Sequence, residues 1–286
     1  MSIFTIDIGG TFVKYGVWHH GKIQEGNKFP TPKTWTELVQ TCKSLLTNFQ
    51  KKYTIEGVAV SAPGAVDSKN GVIRGISAVP YIHHIEFKKE LEDTLGVPVE
   101  IENDANCAAL AENWLGAAKG YERTLFVVLG TGVGGAILHK GNLDTGANLF
   151  GGEFGLMVLD QGKTFSNLGT VVSMEKRFSK GKARNYSGEE IFKLAEVKQD
   201  EEAQKAINDF YHYLSLGIYN LLSSYNPDRI VIGGGVSAKE GFIRTLNEKV
   251  KEKLKHYGVA DIHCDIVACH FHNNSNLIGA ASLFNT

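Results

Sequence analysis

Residues Phe4–Lys22 read FTIDIGGTFVKYGVWHHGK, and this stretch sets the pattern for the rest of the chain. Two apolar runs suited to β-strands flank Gly9-Gly10-Thr11, so the sequence predicts a hairpin with a glycine–threonine turn. A third apolar run, Ile23 to Phe29, follows a short turn at His19 to Lys22. Strands joined by turns this short must be antiparallel, so the N-terminus is predicted to be a three-stranded meander.

A similar pattern occurs again at residues 125–142, which read LFVVLGTGVGGAILHKGN. A strand, a glycine–threonine loop, a second strand and a turn follow one another in both copies. The second copy is one residue shorter between matching glycines, Gly9 to Gly21 against Gly130 to Gly141. Two half-chains that begin in the same way imply two domains of like fold, which we expect to face a cleft.

Length and composition are ordinary for a globular protein. The chain has 286 residues, of which 43% are hydrophobic and 21% charged, and this length favours two domains. A formal net charge of -1 provides no basic face for nucleic acid or an anionic membrane. The four cysteines have no spacing typical of disulfides, and the N-terminus has no signal-peptide pattern, so we expect a cytoplasmic protein with reduced thiols.

The segment Glu102–Glu112, ENDANCAALAE, joins an apolar strand to an alanine-rich helical pattern. Asn103 and Asp104 stand at the junction, where such side chains commonly cap the first turn of a helix. A carboxylate in this position can instead face a bound substrate and act as a general base. The residue types alone leave both interpretations open.

Three glycine-rich turns follow predicted strands, at Gly9-Gly10-Thr11, Gly130-Thr131-Gly132 and Gly233-Gly234-Gly235. Glycine allows backbone N–H groups to approach an anion closely, so three such turns favour phosphate binding. Asp7, at the end of the first strand, is a candidate to hold Mg²⁺ through water. No GxxxxGK[ST] loop is present, and no GxGxxG lies in a βαβ unit, which excludes the P-loop and Rossmann classes.

Five motifs, in this order, resemble those of the ROK family of sugar kinases and sugar-responsive repressors. They are DIGGT from Asp7, ENDAN from Glu102, GTGVGG from Gly130, GGEFG from Gly151 and GGG from Gly233. The resemblance covers nearly the whole chain. It implies an α/β fold of the actin/hexokinase/Hsp70-like type, with duplicated ribonuclease-H-like domains around a central cleft. On this basis we expect a small domain at residues 1–106, completed by a C-terminal helix at about 272–286, and a large domain at residues 107–271.

The same resemblance implies ATP with Mg²⁺ and a small-molecule sugar as ligands. Asp104 is implied to be the base that accepts the proton of the attacking sugar hydroxyl. Lys14 is implied to reach a phosphate, although a solvated strand lysine would give the same pattern. The residues implied to bind the nucleotide or its metal are Asp7, Gly9, Gly10, Thr11, Lys14, Gly130, Thr131, Gly132, Gly233, Gly234 and Gly235. Those implied to bind the sugar are Pro63, Gly64, Asn103, Glu153, Leu156 and Glu175.

The segment after Glu153 departs from the zinc-containing members of the family. In those members a histidine that touches both the sugar and zinc comes next, followed by three cysteines and a sugar-binding glutamate. Here Leu156 takes the histidine position and Glu175 the glutamate position, while the cysteine positions hold Ser166, Leu168 and Ser173. Leucine does not bind metals and serine does not replace a thiolate, so no zinc site is expected.

The loss of the histidine leaves an apolar wall at Leu156, a pattern similar to the zinc-less β-glucoside kinases of the family. The expected activity is ATP-dependent phosphorylation of the 6-hydroxyl of a glucosyl unit in a β-glucoside such as cellobiose. Met157 and Phe165 are candidate contacts to the aglycone.

A kinase of glucose or another hexose is the alternative. A non-catalytic sensor of the repressor branch is disfavoured, because only two residues precede the first strand and the charge is near neutral. No nucleic-acid or membrane partner is expected, and the chain is a candidate homodimer.

Overall fold

The computed structural model describes residues 1–271 and 274–285, and the chain divides into two compact units. Unit 1 comprises residues 1–119, 145–150 and 273–286, and unit 2 comprises residues 120–144 and 151–272. Residues 272, 273 and 286, which belong to the expected C-terminal helical segment, lie outside the described part. The domain boundary expected at residue 106 falls inside a helix that ends at Leu115 and lies whole in unit 1.

Unit 1 is built on a five-stranded mixed sheet. Its strands are β1 (Ser2–Ile8), β2 (Phe12–His19), β3 (Lys22–Pro30), β4 (Ile55–Ala62) and, after a small hairpin, β7 (Val99–Asn103). The hairpin consists of β5 (Ala65–Asp67) and β6 (Val72–Arg74). The strand order in the sheet is β3-β2-β1-β4-β7. The first three strands are the predicted antiparallel meander, and β4 and β7 continue the sheet in parallel with β1.

Helices cover this sheet and complete the core of unit 1. They are α1 (Trp35–Gln50), α2 (Phe87–Leu95), α3 (Asp104–Leu115) and, from the end of the chain, α9 (Ser275–Ser282). Helices α3 and α9 pack closely, since a Cβ atom on Gly279 would stand 1.7 Å from the Cys107 carbonyl oxygen. Only glycine permits this approach, and it fixes the C-terminal helix against the helix that begins at Asp104.

Unit 2 repeats the same sheet. Its strands are β8 (Arg123–Leu129), β9 (Val133–His139), β10 (Asn142–Leu143), β13 (Arg229–Gly233) and β14 (Asp265–Ala268). Their order, β10-β9-β8-β13-β14, is again third, second, first, fourth and fifth along the unit. The first three strands are antiparallel and the last two are parallel to the first. The duplication predicted from the two glycine–threonine hairpins is therefore confirmed.

Helices supply most of the core of unit 2. They are α4 (Phe165–Leu168), α5 (Val171–Ser179), α6 (Gly188–Lys198), α7 (Glu201–Tyr225) and α8 (Phe242–His256), and a small hairpin of β11 (Val158–Asp160) and β12 (Lys163–Thr164) precedes them. Apolar residues at helical spacing from Ala203 to Leu222 predict a helix from about Glu201 to Tyr225, and Ser187 with Glu190 predicts a capping box. The structure has both. The sequence predicts a helix from Lys239 to Tyr257, but α8 begins only at Phe242, because Gly241 adopts a left-handed conformation with φ of 76° just before it. Within the described ranges, no helix has the length and apolar character needed to cross a membrane.

Candidate active site

A row of polar side chains crosses the unit 1 sheet where its parallel strands end. Asp7 on β1 is paired with Lys14 on β2 and with Ser61 on β4, and Ser61 is paired in turn with Glu102 on β7. Residues paired across strands project from the same face of a sheet. Strand pairing thus brings together side chains that are remote in sequence, and of these only Asp7 and Lys14 were predicted to belong to the site.

The buried carboxylate of Asp7 is held in a defined orientation by hydrogen bonds. The Ser61 hydroxyl donates to Oδ1 of Asp7 at 2.9 Å, and the Asn276 amide donates to the same oxygen at 2.9 Å. The other oxygen, Oδ2, lies 3.8 Å from Nζ of Lys14, whose side chain is 45% exposed. The structure therefore brings the two predicted nucleotide-site residues Asp7 and Lys14 together, and it adds Ser61 and Asn276, which were not predicted.

The predicted loop Gly9-Gly10-Thr11 connects β1 to β2 and is exposed at Gly10 and Thr11. The Gly9 N–H donates to the Phe12 carbonyl at 3.1 Å, and the Gly9 carbonyl accepts from the Thr31 hydroxyl at 2.5 Å. A Cβ atom on Gly9 would lie 2.8 Å from the Phe12 carbonyl oxygen, so the turn is tight. An exposed, tightly held glycine turn of this kind can offer backbone N–H groups to an anion.

Asn103 caps the N-terminus of helix α3, as expected for an asparagine at a strand–helix junction. Its Oδ1 accepts from the N–H groups of Ala105 at 2.9 Å and Asn106 at 3.2 Å. Its Nδ2 donates to the Gly64 carbonyl at 2.9 Å, beside Pro63. Gly64 has φ of 109°, and a Cβ there would lie 2.8 Å from the His83 ring, so this turn requires glycine. Asn103, Gly64 and Pro63, all predicted to bind the sugar, are therefore neighbours.

Asp104 is the first residue of α3 and is partly buried. Its Oδ1 accepts from the Ala105 N–H at 2.8 Å. A carboxylate is favoured at a helix N-terminus, where the backbone N–H groups and the helix dipole stabilise negative charge. The geometry is thus consistent with both interpretations, since the same carboxylate touches the first turn of the helix and remains partly accessible.

Glu102 is a buried carboxylate that the sequence analysis did not assign to the site. It is 5% exposed, and its Oε1 accepts from the Asn103 N–H at 2.7 Å and from the Asn106 amide at 2.9 Å. Its Oε2 accepts from the Ser68 hydroxyl at 2.7 Å. These bonds fix the junction from which Asn103 and Asp104 project. No local spacing indicates these contacts, because Glu102 lies in strand β7, Asn106 lies in helix α3 and Ser68 is 34 residues away in sequence.

Cys107 lies beneath the same junction and is fully buried. Burial raises the pKa of its thiol, and the nearby carboxylates of Glu102, Asp7 and Asp104 raise that pKa further because they disfavour a second negative charge. The thiol is therefore neutral at physiological pH. Cys107 acts as a packing residue of α3 and not as a nucleophile.

In unit 2, a cavity of about 930 Å³ opens beside two of the predicted glycine loops. Gly130 and Gly235 both line it, together with Phe192 and Val236, while Lys239 and Glu196 close one wall. The last two side chains form an ion pair at 3.0 Å. A cavity of this size, with apolar walls and glycine loops at its edge, suits a ligand that combines a flat ring with phosphates.

The Gly233-Gly234-Gly235 turn is shaped by its contact with β8. Gly234 has φ of 93°, and a Cβ there would lie 2.1 Å from the Leu129 carbonyl oxygen, so no other residue fits. Gly233 is buried against the Phe126 ring, and only Gly235 lines the cavity. Of the three predicted contacts, Gly233 and Gly234 therefore shape the turn, and Gly235 is the one exposed to a ligand.

The Gly130-Thr131-Gly132 loop is braced by a serine that replaces a family cysteine. The Ser166 Oγ accepts from the Val133 N–H at 2.9 Å, and a Cβ on Gly132 would lie 3.1 Å from this Oγ. The Gly130 N–H donates to the Gly132 carbonyl at 3.0 Å, which closes the turn. Gly130 and Thr131 are exposed at its tip. Ser166 was named only as a lost zinc ligand, and its contact with the loop was not foreseen.

The other two lost cysteine positions have structural roles in the same segment. Leu168 is 2% exposed and belongs to the packed interior of unit 2. Ser173 forms a capping box with Thr170 at the start of α5, and its hydroxyl donates to the Thr170 carbonyl at 2.8 Å. Among the described residues, no group of three or more histidine, cysteine, aspartate or glutamate side chains is arranged to hold a metal ion.

Glu153 and Leu156 lie at a short 3₁₀ turn, Phe154–Leu156, that leads into β11. Both side chains are exposed, Leu156 to 59%, and the intervening Phe154 is buried. Of the two candidate aglycone contacts, Met157 is partly buried and packs against the core. Phe165 is fully buried, so the expectation that it contacts an aglycone is wrong.

Glu175, the second predicted sugar glutamate, lines the cavity that also contains Gly130 and Gly235. Its Oε1 accepts from the Gly188 N–H at the start of α6 at 2.5 Å. A carboxylate that accepts from the first N–H groups of a helix is well stabilised. The side chain is therefore held at the cavity wall by α6.

Comparison with known proteins identifies this arrangement. A ROK family model matches residues 3–286. A β-glucoside kinase from Listeria monocytogenes is 33% identical over 295 residues, which cover 99% of this chain and 97% of that protein. A β-glucoside kinase from Klebsiella pneumoniae is 33% identical over 296 residues, which cover 100% of this chain and 96% of that protein.

Solved structures agree with the sequence matches. The structure of a ROK family protein from Streptococcus pneumoniae, in complex with sucrose, has a TM-score of 0.88 and is 33% identical, with 98% of this chain and 96% of that chain covered. Together with the sequence matches, it confirms the family resemblance, the fold and the enzyme class that were predicted from the sequence.

Proposed function

Because this chain belongs to the ROK family and is an ATP-dependent sugar kinase, we propose that it phosphorylates the 6-hydroxyl of the glucosyl unit of a β-glucoside such as cellobiose. The observation that carries the proposal is the exposed Leu156, at the position where zinc-containing members have a sugar-binding histidine. Its side chain is 59% exposed, and Val158 nearby is 64% exposed. An apolar surface accommodates an aglycone and offers no hydrogen bond to a free anomeric hydroxyl.

Asp104 is the proposed general base. Its carboxylate accepts the proton of the sugar 6-hydroxyl while the hydroxyl oxygen forms a bond to the γ-phosphorus of ATP, and the bond from that phosphorus to the β,γ-bridging oxygen breaks to release ADP. The cap formed by Asn103 and the bonds to Glu102 support this role, because they fix the strand–helix junction from which Asp104 projects. Fixed geometry matters here, since phosphoryl transfer is catalysed mainly by positioning and by charge stabilisation.

The glycine loops and Lys14 are proposed to bind the nucleotide. Gly9, Gly10 and Thr11 in unit 1, and Gly130, Thr131 and Gly132 in unit 2, offer exposed turns whose N–H groups suit phosphate oxygens. The unit 2 cavity beside Gly235 is the proposed adenosine site. Lys14 is 45% exposed, which leaves its ammonium mobile enough to reach a phosphate.

Asp7 is proposed to hold Mg²⁺ through water. The donor chemistry fits, because Mg²⁺ takes oxygen ligands and keeps several waters, so one oriented carboxylate is enough on the protein side. The Oδ2 atom lies on the side of Lys14, whereas Oδ1 is engaged by Ser61 and Asn276. When bound, the ion would neutralise charge on the phosphates.

The sugar site is proposed to include Asn103, Gly64 and Pro63 of unit 1. Asn103 donates one amide hydrogen to the Gly64 carbonyl and has a second to offer to a sugar oxygen. In unit 2, Glu153 is exposed and Leu156 provides the apolar contact. Glu175 is also proposed to contact the sugar, and α6 holds its carboxylate at the wall of the unit 2 cavity.

One observation favours the alternative, a kinase of free glucose or another hexose. Glu175 is the residue type that zinc-containing members use to bind the sugar, and it is present at the matching position. If its carboxylate contacts the anomeric side of the sugar, it accepts a hydrogen bond from the anomeric hydroxyl of a free hexose, whereas the anomeric oxygen of a β-glucoside has no hydrogen to donate.

A coupled assay of ADP release separates the two functions. We would measure kcat/KM for glucose, cellobiose, gentiobiose, arbutin and N-acetylglucosamine, and locate the phosphate on the product by NMR. Higher kcat/KM for β-glucosides, with phosphate on the 6-oxygen, is the expected result. A preference for free glucose would refute the β-glucoside proposal and establish the hexokinase alternative.

A further inference from the structure

We infer that Asn276, together with Ser61, is a positioning residue that sets the orientation of the Asp7 carboxylate toward the metal–nucleotide complex. The inference rests on the proposed function, since it concerns the carboxylate proposed to hold Mg²⁺. It makes the C-terminal helix α9 part of the phosphoryl-transfer site. Neither residue belongs to the motifs that identify the family in this sequence.

The geometry singles out one oxygen of Asp7. Ser61 Oγ and Asn276 Nδ2 both donate to Oδ1, each at 2.9 Å, while Lys14 lies on the side of Oδ2. Two donors on one oxygen hold the plane of the carboxylate and keep the other oxygen directed away from them. Asp7 is 7% exposed, so water cannot readily replace either donor.

The chemistry of the donors is equally specific. Serine and asparagine are neutral, so they orient Asp7 without cancelling its charge. Partners of this kind around a metal-binding carboxylate typically change metal affinity by about 10- to 100-fold when removed. The effect holds for a carboxylate that acts through water as well, because its orientation sets the position of the water.

The fold holds both hydrogen-bond donors in fixed positions. Ser61 is fully buried, and strand pairing places it beside Asp7. Asn276 lies in the first turn of α9, and Gly279 in the next turn packs on the Cys107 backbone. The polar contact of Asn276 is therefore built on a rigid contact between helices.

A purely structural role would make a different prediction. If Asn276 only ties α9 to the sheet, its loss would lower the melting temperature and leave the dependence on Mg²⁺ unchanged. If it orients Asp7, its loss would weaken binding of the Mg²⁺ complex of a nucleotide and have little effect on metal-free nucleotide or on the KM for the sugar.

The test compares wild type, Asn276→Ala, Asn276→Asp and Ser61→Ala by calorimetric titration with AMPPNP, with and without Mg²⁺. We expect the enhancement of affinity by Mg²⁺ to fall about 10-fold in Asn276→Ala and Ser61→Ala. Asn276→Asp keeps the size of the side chain but replaces the donor to Asp7 Oδ1 by an acceptor that repels it, so the orientation of Asp7 should again be lost. Asn274→Ala is the matched control, because Asn274 is exposed and its side chain makes no capping hydrogen bond.

The outcomes separate this inference from the proposed function. An enhancement by Mg²⁺ that is unchanged in the folded Asn276 variants refutes the inference, even if those variants are less stable or slower. Should Ser61→Ala fail to fold, the two Asn276 variants decide, because Asn276 is only partly buried and tolerates truncation better. A wild-type protein that binds AMPPNP and Mg²⁺ but phosphorylates no sugar would refute the proposed function and leave the inference standing.

Discussion

Replacement of Leu156 by serine should weaken the use of β-glucosides and leave the use of glucose nearly unchanged. Full burial of a leucine side chain is worth about 1.5–3 kcal/mol. The side chain is 59% exposed, so an aglycone that covers it would gain roughly 0.9–1.8 kcal/mol. Loss of that contact corresponds to a fall of about 5- to 20-fold in kcat/KM for cellobiose.

The assay is the coupled measurement of ADP release, with cellobiose and glucose compared for each protein. Val158→Ser is the matched control, because Val158 is apolar, 64% exposed and close in sequence, but does not occupy the position of the family histidine. Equal losses for cellobiose and glucose in Leu156→Ser would refute the reasoning, since the residue would then contact the part that both sugars share. Equal losses in the two variants would assign the effect to the whole apolar patch and not to Leu156.

Three further substitutions or treatments test the site. Asp104→Asn should lower kcat by about 10²- to 10⁴-fold and retain sugar binding, because the amide cannot accept a proton. Steady-state kinetics measures both parameters, and Asp93→Asn, at an exposed position, is the control. Ser166→Ala removes the acceptor of the Val133 N–H, and the lost hydrogen bond is worth about 0.5–1.5 kcal/mol. The KM for ATP should therefore rise by roughly 2- to 12-fold. Ser44→Ala, on the exposed face of α1, is the control. Cys42 and Cys107 should resist iodoacetamide at pH 8 in the native protein, because burial raises the pKa of Cys42 to about 12 and raises that of Cys107 above its usual value.

Each of these expectations has a contrary result. A near-normal kcat in Asp104→Asn would show that another residue is the general base. An unchanged kcat with a raised KM for the sugar would show that Asp104 binds the substrate without acting as the base. An unchanged KM for ATP in Ser166→Ala would show that the loop needs no brace. Rapid labelling of Cys107 in the folded protein, read by mass spectrometry, would mean that α3 opens readily.

The fold was largely predictable because its main signal is local. Two hairpins with glycine–threonine turns are visible in short stretches of sequence, and each unit is organised around one of them. Helix α7 was predicted with the same bounds because its apolar residues keep helical spacing over many turns. Helices α4 and α5 escaped prediction because they are short and depend on packing within unit 2.

The surroundings of the candidate site were less predictable, because its partners are remote in sequence. Ser61 is 54 residues from Asp7 and Asn276 is 269 residues away, yet both donate to the same carboxylate oxygen. No local pattern connects such residues, since only the pairing of strands and the packing of α9 bring them together. Glu175 shows the converse case, in which a motif position indicates a role but not where the side chain is held.

The residues at the three positions that match family cysteines make structural contacts of their own. Ser166 accepts from the Val133 N–H beside the Gly130–Gly132 turn, Leu168 fills the core, and Ser173 completes the capping box of α5 with Thr170. Each replacement thus contributes a contact that a metal-bound cysteine could not make in the same way. These contacts distribute the constraint on the segment over a hydrogen bond, a buried side chain and a helix capping box. The segment that follows Leu156 is therefore expected to stay ordered in metal-free buffer, and a melting temperature that falls when a metal chelator is added would contradict this.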